Sequence, residues 1–333
     1  MPMSQLTTDE RYQITYLHMN GHSPAEIGRR LGRHRGTIGR ELERNADPMG
    51  GYHYLSAQAQ ADTRRRVASR RYKLDTAGSV AGKAVRCGLK QRWSPEQIAG
   101  RLRLDHPDDS AAWVSHETIY QWVYRQSLHG KTLYQRLRRS HKHRRRRIPG
   151  ERKGKRGMIP GRIGIEERPP IVAERRRFGD WESDTVEGAK GRGLVATHVE
   201  RKSRYTLLDK LADKKAATVT QSTTASMMSL PRKLRHTATF DNGKEFADFK
   251  TIERELGLTV YFANPHSPWE RGTNENTNGL LRDWLPKGSD FSKVTARRLA
   301  QIQKMLNNRP RKCLNYRTPI EVLNDLPGVA LRN

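Results

Sequence analysis

The sequence predicts a chain of several domains, with an all-α first half and an α/β second half. Its 333 residues are enough for two or three domains. Helix-start signals mark the first half, where a capping serine and a proline recur at Ser23-Pro24 and Ser94-Pro95. From residue 181 onward, three strand-like segments precede alternating helices and strands, an order typical of a central sheet flanked by helices.

The chain is strongly basic, with 64 Lys and Arg against 35 Asp and Glu and a formal net charge of +29. Such a charge favours a polyanionic partner, because neutralising phosphates releases counterions and supplies affinity that does not depend on sequence. Residues 1–168 carry a net charge of +19 and residues 169–333 a net charge of +10. We therefore expect a nucleic acid partner that is gripped mainly by the first half.

Cysteine content and hydropathy indicate a soluble protein of a reducing cytoplasm. Cys87 and Cys313 lie far apart and form neither a disulfide framework nor a zinc signature. No apolar run approaches the roughly 18 residues that a membrane span needs. The N-terminus also lacks the apolar segment of a signal peptide. We expect no membrane partner.

Residues 1–50 are predicted to form a first helix-turn-helix domain of three short helices. Thr8 is expected to cap the first helix, Ser23 to Glu26 begin the second, and a third runs from about His34 to Arg44 after a turn at Gly32. The alternative is an ordinary three-helix bundle with a solvated basic face. The DNA contacts expected here are Arg33, Arg35, Thr37 and Arg40.

A basic helical connector over residues 51–86 is expected to lead to a second helix-turn-helix-like domain over residues 87–137. Ser94 to Gln97 repeats the capping pattern, and Ser115 is placed to cap a helix from His116 to Tyr124. His116 has no His or Cys at metal-ligand spacing, which favours a capping or phosphate-contacting role. The DNA contacts expected here are Ser115, His116, Thr118 and Gln121.

Residues 138–168 are predicted to be a basic linker. Residues 138–156 hold 11 Lys and Arg against one Glu, and prolines and glycines interrupt any regular pattern. We expect this segment to be disordered without DNA and to contact phosphates when DNA is bound. Its expected DNA contacts are Arg144, Arg145, Arg146 and Arg147.

Residues 169–333 are predicted to form the α/β domain with C-terminal helices, and Ile171-Val172 is expected to lead into its sheet. The predicted strands are Trp181–Val186, Leu194–Val199, Arg204–Leu211, Thr237–Phe240 and Thr259–Phe262. The predicted helices are Ala216–Leu230, Glu245–Leu256, Arg271–Leu285, Ala296–Asn307 and a short one from Thr318.

Three carboxylates in this domain are candidates for a metal site. Asp184 lies inside a strand, where an acidic side chain is disfavoured without a compensating interaction. Asp241 ends a strand, and Glu275 lies on a helix. Carboxylate oxygens suit Mg²⁺, and two ions about 4 Å apart can activate a water or a 3′-hydroxyl and stabilise a leaving oxygen.

Spacing alone does not select these three carboxylates. Asp241-Asn242-Gly243 is also an ordinary turn signal, and Glu275 alone fits a solvated helix face. The other carboxylates nearby are Asp180, Glu182, Glu187, Glu245 and Glu270.

Long motifs in the chain resemble the DDE transposases of bacterial insertion sequences, in the family numbered thirty. The N-terminal part of the resemblance lies in residues 23–44, 93–102 and 114–120. The remaining motifs are Trp181–Asp184, Asp241–Phe246, Arg271–Arg282 and Leu306–Arg311. His34, Gly36 and Ser183 depart from the family pattern, which bears on the detailed DNA contacts rather than on the fold.

This resemblance implies an RNase H-like catalytic core with Asp184, Asp241 and Glu275 as catalytic residues and metal ligands. It implies Mg²⁺ as the cofactor, and we expect two ions, with Mn²⁺ as a substitute. Lys244, Arg271 and Arg282 are candidate phosphate contacts near this site, with solvated surface charges as the alternative. The partners it implies are double-stranded DNA, as the element's inverted repeats and the target, and further copies of the chain in a homodimer or larger assembly. It also implies a bacterial, nucleoid-associated protein.

The expected function is therefore transposition, with Mg²⁺-dependent cleavage and transfer of DNA strands at the element's terminal inverted repeats. One alternative is a non-catalytic helix-turn-helix transcriptional regulator, in which residues 169–333 would serve for dimerisation. Another is a general RNase H-type nuclease or junction enzyme with the same core chemistry but no strand joining.

Overall fold

The computed structural model describes residues 5–46, 51–68, 74–76, 78–128, 130, 132–138, 159–265 and 267–328. They belong to two compact units, residues 1–75 and residues 76–333. The expected DNA contacts Arg144 to Arg147 lie outside the described residues.

The first unit contains four helices, α1 (Thr8–Met19), α2 (Pro24–Leu31), α3 (Arg35–Arg44) and α4 (Tyr54–Ala68). Ile14, Ile27 and Ile38 are fully buried between them. The expected cap at Thr8 is wrong by one residue. The hydroxyl of Thr7 accepts the N–H of Glu10 while the carboxylate of Glu10 accepts the N–H of Thr7, so the capping box begins at residue 7.

The second unit begins with three helices, α5 (Val80–Lys90), α6 (Pro95–Asp105) and α7 (His116–Leu128). The predicted capping box of Ser94 and Gln97 at the start of α6 is confirmed. Helix α5 was not predicted, and it runs across the domain boundary expected after residue 86. Its Gly88 lowers helix propensity, yet a Cβ there would lie 2.6 Å from Ile98 Cγ1, so close packing against α6 requires glycine.

A five-stranded sheet organises the rest of the second unit. Its strands are β1 (Asp180–Glu187), β2 (Leu194–Glu200), β3 (Thr206–Leu211), β4 (Thr237–Phe240) and β5 (Thr259–Phe262), in the spatial order β3-β2-β1-β4-β5. The first three strands are antiparallel, and β4 and β5 run parallel to β1. With helices on both faces, this arrangement confirms the predicted RNase H-like core.

The helices around the sheet are α8 (Pro170–Glu174), α9 (Ala216–Met228), α10 (Phe249–Leu256), α11 (Gly272–Leu281), α12 (Ala296–Asn307) and α13 (Pro319–Leu323). The expectation that Ile171-Val172 leads into the sheet is wrong. Pro170 occupies the first position of α8, where its missing N–H costs nothing, and Arg175 ends the helix in the left-handed conformation. In the part of the chain with described coordinates, no helix is both long and apolar enough to cross a membrane.

The side chains of β1 alternate between two apolar layers, one on each face of the sheet. Trp181 packs with residues of α9 and α10, whereas Val186 packs with residues of α11 and α12. Since alternate side chains of a strand point to opposite faces, the even-numbered side chains of β1 face α11. Asp184 therefore points toward the helix that carries Glu275.

Helix α6 is joined to the C-terminal segment of the core. Arg101 Nη1 lies 2.7 Å from Glu321 Oε2, and Arg309 Nε donates to Gln97 Oε1 at 3.0 Å. Gly100 faces the ring of Tyr316. These contacts make helices α5 to α7, the second helical module, and the α/β core parts of one unit.

We predict that Gly100→Ala destabilises the second unit by about 1–3 kcal/mol, the usual cost of overpacking. The added Cβ would lie 2.3 Å from Tyr316 Cγ, which outweighs the better helix propensity of alanine. Urea unfolding of the full chain measures the effect. In a Tyr316→Ala background the same substitution should no longer destabilise the protein, and an equal cost in both backgrounds would contradict this packing.

Candidate active site

Strands β1 and β4 bring Asp184 and Asp241 to neighbouring positions. Their parallel register pairs Glu182 with Thr239. Two residues later in each segment are Asp184, on β1, and Asp241, directly after the end of β4. The guanidinium of Arg271 lies against both carboxylates. Its Nη1 is 3.5 Å from Asp184 Oδ1 and its Nη2 is 3.5 Å from Asp241 Oδ2. The two aspartates thus share one cation.

Glu275 lies on the side of α11 that also carries a residue in contact with this pair. Arg271, Glu275 and Asn278 are spaced four and three residues apart, so they share one side of α11. Asn278 Nδ2 donates to Asp184 Oδ2 at 3.0 Å, and Arg271 also contacts Asp184. Along the chain, Glu275 lies between these two residues. The side chain of Glu275 is exposed to solvent.

The three carboxylates are not gathered into one ligand set. Among the residues that the structure describes, no group of three or more His, Cys, Asp or Glu side chains is arranged to hold a metal ion. The two aspartates form the core of the candidate site, and Glu275 lies one helical turn beyond Arg271.

Burial raises the pKa of Asp184, and the nearby charge of Asp241 raises it further, while Arg271 acts in the opposite direction. The backbone N–H of Thr185 also donates to Asp184 Oδ1 at 2.9 Å. The ionised form of Asp184 is therefore disfavoured in spite of Arg271. Additional positive charge at this position would favour ionisation.

The five alternative carboxylates each have a partner of their own in the fold. Asp180 and Glu182 are fully buried, which fits a structural role. The pairs are Asp180 with Arg177, Glu182 with Arg201, Glu187 with the N–H of Gly191, Glu245 with Lys214, and Glu270 with the N–H of Asn264.

The expected DNA contacts of the first unit differ in their surroundings. Arg35 and Arg40 on α3 are exposed, and Thr37 is half-buried. Arg33 instead pairs with Glu10 on α1, with its Nε 2.8 Å from Glu10 Oε1. That ion pair ties the turn between α2 and α3 to α1.

The expected DNA contacts of the second helical module lie at the start of α7. Ser115, His116 and Gln121 are exposed, and Thr118 is half-buried. The hydroxyl of Ser115 accepts the N–H of Thr118 at 3.0 Å, so Ser115 caps this helix as predicted.

The three residues expected to contact phosphate also have different surroundings. Arg271 contacts both carboxylates of the aspartate pair, and Lys244 is exposed shortly after Asp241. Arg282 Nη2 donates to the carbonyl of Glu187 at 3.0 Å, and burial lowers the pKa of Arg282.

An asparagine pair that sequence reasoning missed attaches α11 to the sheet. The amide of the fully buried Asn274 donates to the carbonyls of Glu182 and Thr197 at 2.9 and 3.1 Å. Thr197 Oγ1 lies 3.0 Å from the amide oxygens of both Asn274 and Asn278. The four-residue spacing of the two asparagines was the available signal. Together they fix the helix that presents Arg271 and Glu275.

Comparison with known proteins identifies the family. A helix-turn-helix domain family matches residues 3–45. The transposase for insertion sequence element IS1086 of Cupriavidus metallidurans is 42% identical over 96% of this chain and 94% of its own length. The chain belongs to the insertion-sequence transposases. The transposase for IS4351 of Bacteroides fragilis is 40% identical over 95% of this chain and 94% of its own length.

Transposase InsI for insertion sequence element IS30A of Escherichia coli is 39% identical over 99% of this chain and 85% of its own length. The resemblance to family thirty is thereby confirmed. A solved catalytic core domain of BIV integrase is 19% identical, with a TM-score of 0.36, over 44% of this transposase and 94% of that domain. A structural likeness of that size assigns no function.

We predict that Asp184→Asn raises the thermal stability of this transposase at pH 7 in the presence of a chelator. The folded-state pKa of Asp184 lies above its ordinary value, so the stability that this group contributes is present at low pH and is lost as pH rises through the raised pKa. Wild type should therefore fall below the variant at neutral pH, and the difference should shrink toward pH 4. Melting temperatures measured across this range provide the test.

Asp325→Asn is the matched control, because a hydrogen bond with Arg317 lowers the pKa of Asp325. The stability difference should therefore have the opposite sign, with wild type more stable than Asp325→Asn at pH 7. A wild type more stable than Asp184→Asn at pH 7 would contradict the electrostatics described for the site.

Proposed function

We propose that this transposase cleaves DNA strands at the ends of its insertion sequence and joins the freed ends to target DNA, with Asp184, Asp241 and Glu275 as catalytic residues. The observation that carries the assignment is the aspartate pair on adjacent parallel strands. Arg271 contacts both carboxylates and lies one helical turn before Glu275. Relatives aligned over almost the full chain are transposases, which argues against a non-catalytic regulator.

The donor atoms of the site suit Mg²⁺. Carboxylate oxygens are its preferred protein ligands, and the raised pKa of Asp184 reports a position where more positive charge is favourable. We expect Asp184, Asp241 and Glu275 to hold two ions, for which Mn²⁺ can substitute. When bound, the ions supply Lewis-acid charge to the phosphodiester and promote ionisation of the attacking hydroxyl.

Ion binding gives Arg271 a second role in this proposal. Its guanidinium contacts both carboxylates that would hold the ions, so with ions bound it would be available to contact a phosphate instead. An arginine fork matches the geometry of a phosphate, and Arg271 then neutralises the DNA strand beside the site. Lys244 is exposed close to Asp241 and serves the same purpose. Asn278 keeps the carboxylate of Asp184 oriented through its 3.0 Å hydrogen bond.

The proposed reaction has two steps at this site. Water attacks the phosphodiester at the element's end and frees a 3′-hydroxyl. That hydroxyl then attacks a phosphodiester of the target in line, and as the new P–O bond forms the bond to the target's own 3′-oxygen breaks. The target 3′-oxygen leaves as a hydroxyl, and the strands are joined without a covalent protein intermediate. A general nuclease of the same fold would perform only the first step, so joining of a 3′-end to target DNA separates the two functions.

DNA recognition is proposed to lie in the two helical modules. The exposed Arg35 and Arg40 of α3 suit a major groove and its flanking phosphates, as do His116 and Gln121 of α7. A homodimer or larger assembly would hold both inverted repeats of the element together.

We predict that Asp184→Asn lowers Mg²⁺-dependent cleavage of inverted-repeat DNA by at least about 100-fold, because the side chain loses its anionic oxygens while its size is kept. Strand cleavage on denaturing gels measures the loss. Binding of the same DNA by gel shift should stay within a few-fold of wild type. Asp325→Asn, which removes an exposed carboxylate paired with Arg317, should cleave normally. Normal cleavage by Asp184→Asn would remove Asp184 from the mechanism.

A further inference from the structure

A small basic cavity lies beside the start of α11, away from the aspartate pair. Its volume is about 260 Å³, and its lining includes Arg175, Arg204, Thr273, Asn276, Arg311 and Cys313. Three of these side chains are cationic, and within the described part of the chain no carboxylate lines the cavity. The cavity therefore has the chemistry of an anion site.

Arg311 supplies the strongest evidence. Only 6% of this residue is exposed, and its Nε and Nη2 atoms are buried without a hydrogen-bond partner among the described residues. Burial lowers the pKa of Arg311 to about 9, and the neighbouring charge of Arg309 contributes. The guanidinium is still charged at neutral pH, and an uncompensated buried charge is costly. An anion in the cavity would supply the missing partner.

The other two arginines are held in unusual backbone conformations. Arg204 has φ of 66° and Arg175 has φ of 58°, in the left-handed region that non-glycine residues seldom adopt. Arg204 Nη1 donates to Thr273 Oγ1 at 2.8 Å, and Arg175 is exposed. For Arg175 this conformation ends α8, whereas for Arg204 it is backbone strain of the kind that tends to be kept where function requires it.

The end of α11 adds to the attraction for an anion. This helix has ten residues, no side chain caps its start at Arg271, and Gly272 and Thr273 of its first turn line the cavity. The positive end of a helix dipole favours bound anions, here together with the unpartnered Arg311.

We propose that this cavity binds a phosphodiester group of the DNA backbone, held by Arg311, Arg204 and Arg175. The proposal rests on the proposed function and extends it to the DNA that flanks the reacting bond. Asn276 and Thr277 of α11 line the cavity, whereas Arg271 and Asn278 contact Asp184 across the helix. Because a helix is about 10–12 Å across with its side chains, the bound phosphate lies a few nucleotides from the reacting one.

DNA binding by the full chain tests this site, in an Asp184→Asn background that keeps the substrate intact. Salt dependence is measured as the slope of log affinity against log salt concentration for an inverted-repeat duplex. Arg311→Met should make this slope shallower by the amount expected for one lost phosphate contact. At 0.1 M salt this corresponds to an affinity lower by about 8-fold, from a slope of about 0.9 per phosphate. Arg297→Gln is the charge-matched control, because Arg297 is exposed on α12 outside the cavity lining. If the slope of log affinity against log salt concentration were the same for Arg311→Met as for Arg297→Gln, the proposal would be overturned.

A second variant tests the cavity without removing Arg311. Cys313→Asp places a carboxylate in the lining, where it should pair with Arg311, raise the melting temperature and weaken DNA binding as Arg311→Met does. Cys313→Ser should change neither property. DNA binding that is unchanged in Cys313→Asp would refute the site even if Arg311→Met failed to fold.

Inorganic phosphate distinguishes a free ion from a DNA phosphate. At matched ionic strength, phosphate should raise the melting temperature of wild type more than chloride does, and Cys313→Asp should lose this difference. Stabilisation by phosphate combined with unchanged DNA binding in both variants would assign the cavity to a free anion and overturn the DNA proposal. The binding measurements use Asp184→Asn and do not depend on cleavage. Cleavage by the protein that retains Asp184 therefore tests the proposed function separately.

Discussion

The contact of Arg271 with both Asp184 and Asp241 is the interaction on which the candidate site depends. Two carboxylates on adjacent parallel strands repel each other, and burial makes ionisation of Asp184 harder still. One guanidinium at 3.5 Å from each offsets part of this cost. The fold therefore brings two acidic side chains together in a chain whose net charge is +29.

The rest of the core holds this arrangement in register. Asn274 and Asn278 tie α11 to β1 and β2, and Arg309 pairs with Asp283 beyond the end of that helix. The side chain of Arg309 is also held against α6, because its Nε donates to Gln97. Packing of helices α5 to α7 and orientation of α11 are thus linked through one buried arginine. Two residues later, Nε and Nη2 of Arg311 have no hydrogen-bond partner among the described residues, which is why we assign Arg311 to DNA rather than to the fold.

Much of the core could be predicted from local sequence patterns. The bounds of β4, β5 and α12 match the prediction, since each is a periodic apolar segment with clear turn or cap signals. Helix α5 was missed because Gly82 and Gly88 mask its pattern. The pairing of Arg271 with two aspartates was not predictable, because these residues are 87 and 30 positions apart along the chain and meet only through the register of β1 with β4. The choice of Glu275 came from family motifs rather than from spacing.

The most direct test is the position of a bound metal ion. Anomalous diffraction from crystals of the transposase soaked in Mn²⁺ should show density between the carboxylates of Asp184 and Asp241, with Arg271 turned away from them and Glu275 drawn toward the ion. Mn²⁺ bound elsewhere, or an Arg271 that keeps both carboxylates at saturating Mn²⁺, would contradict the assignment of this pair as the catalytic centre.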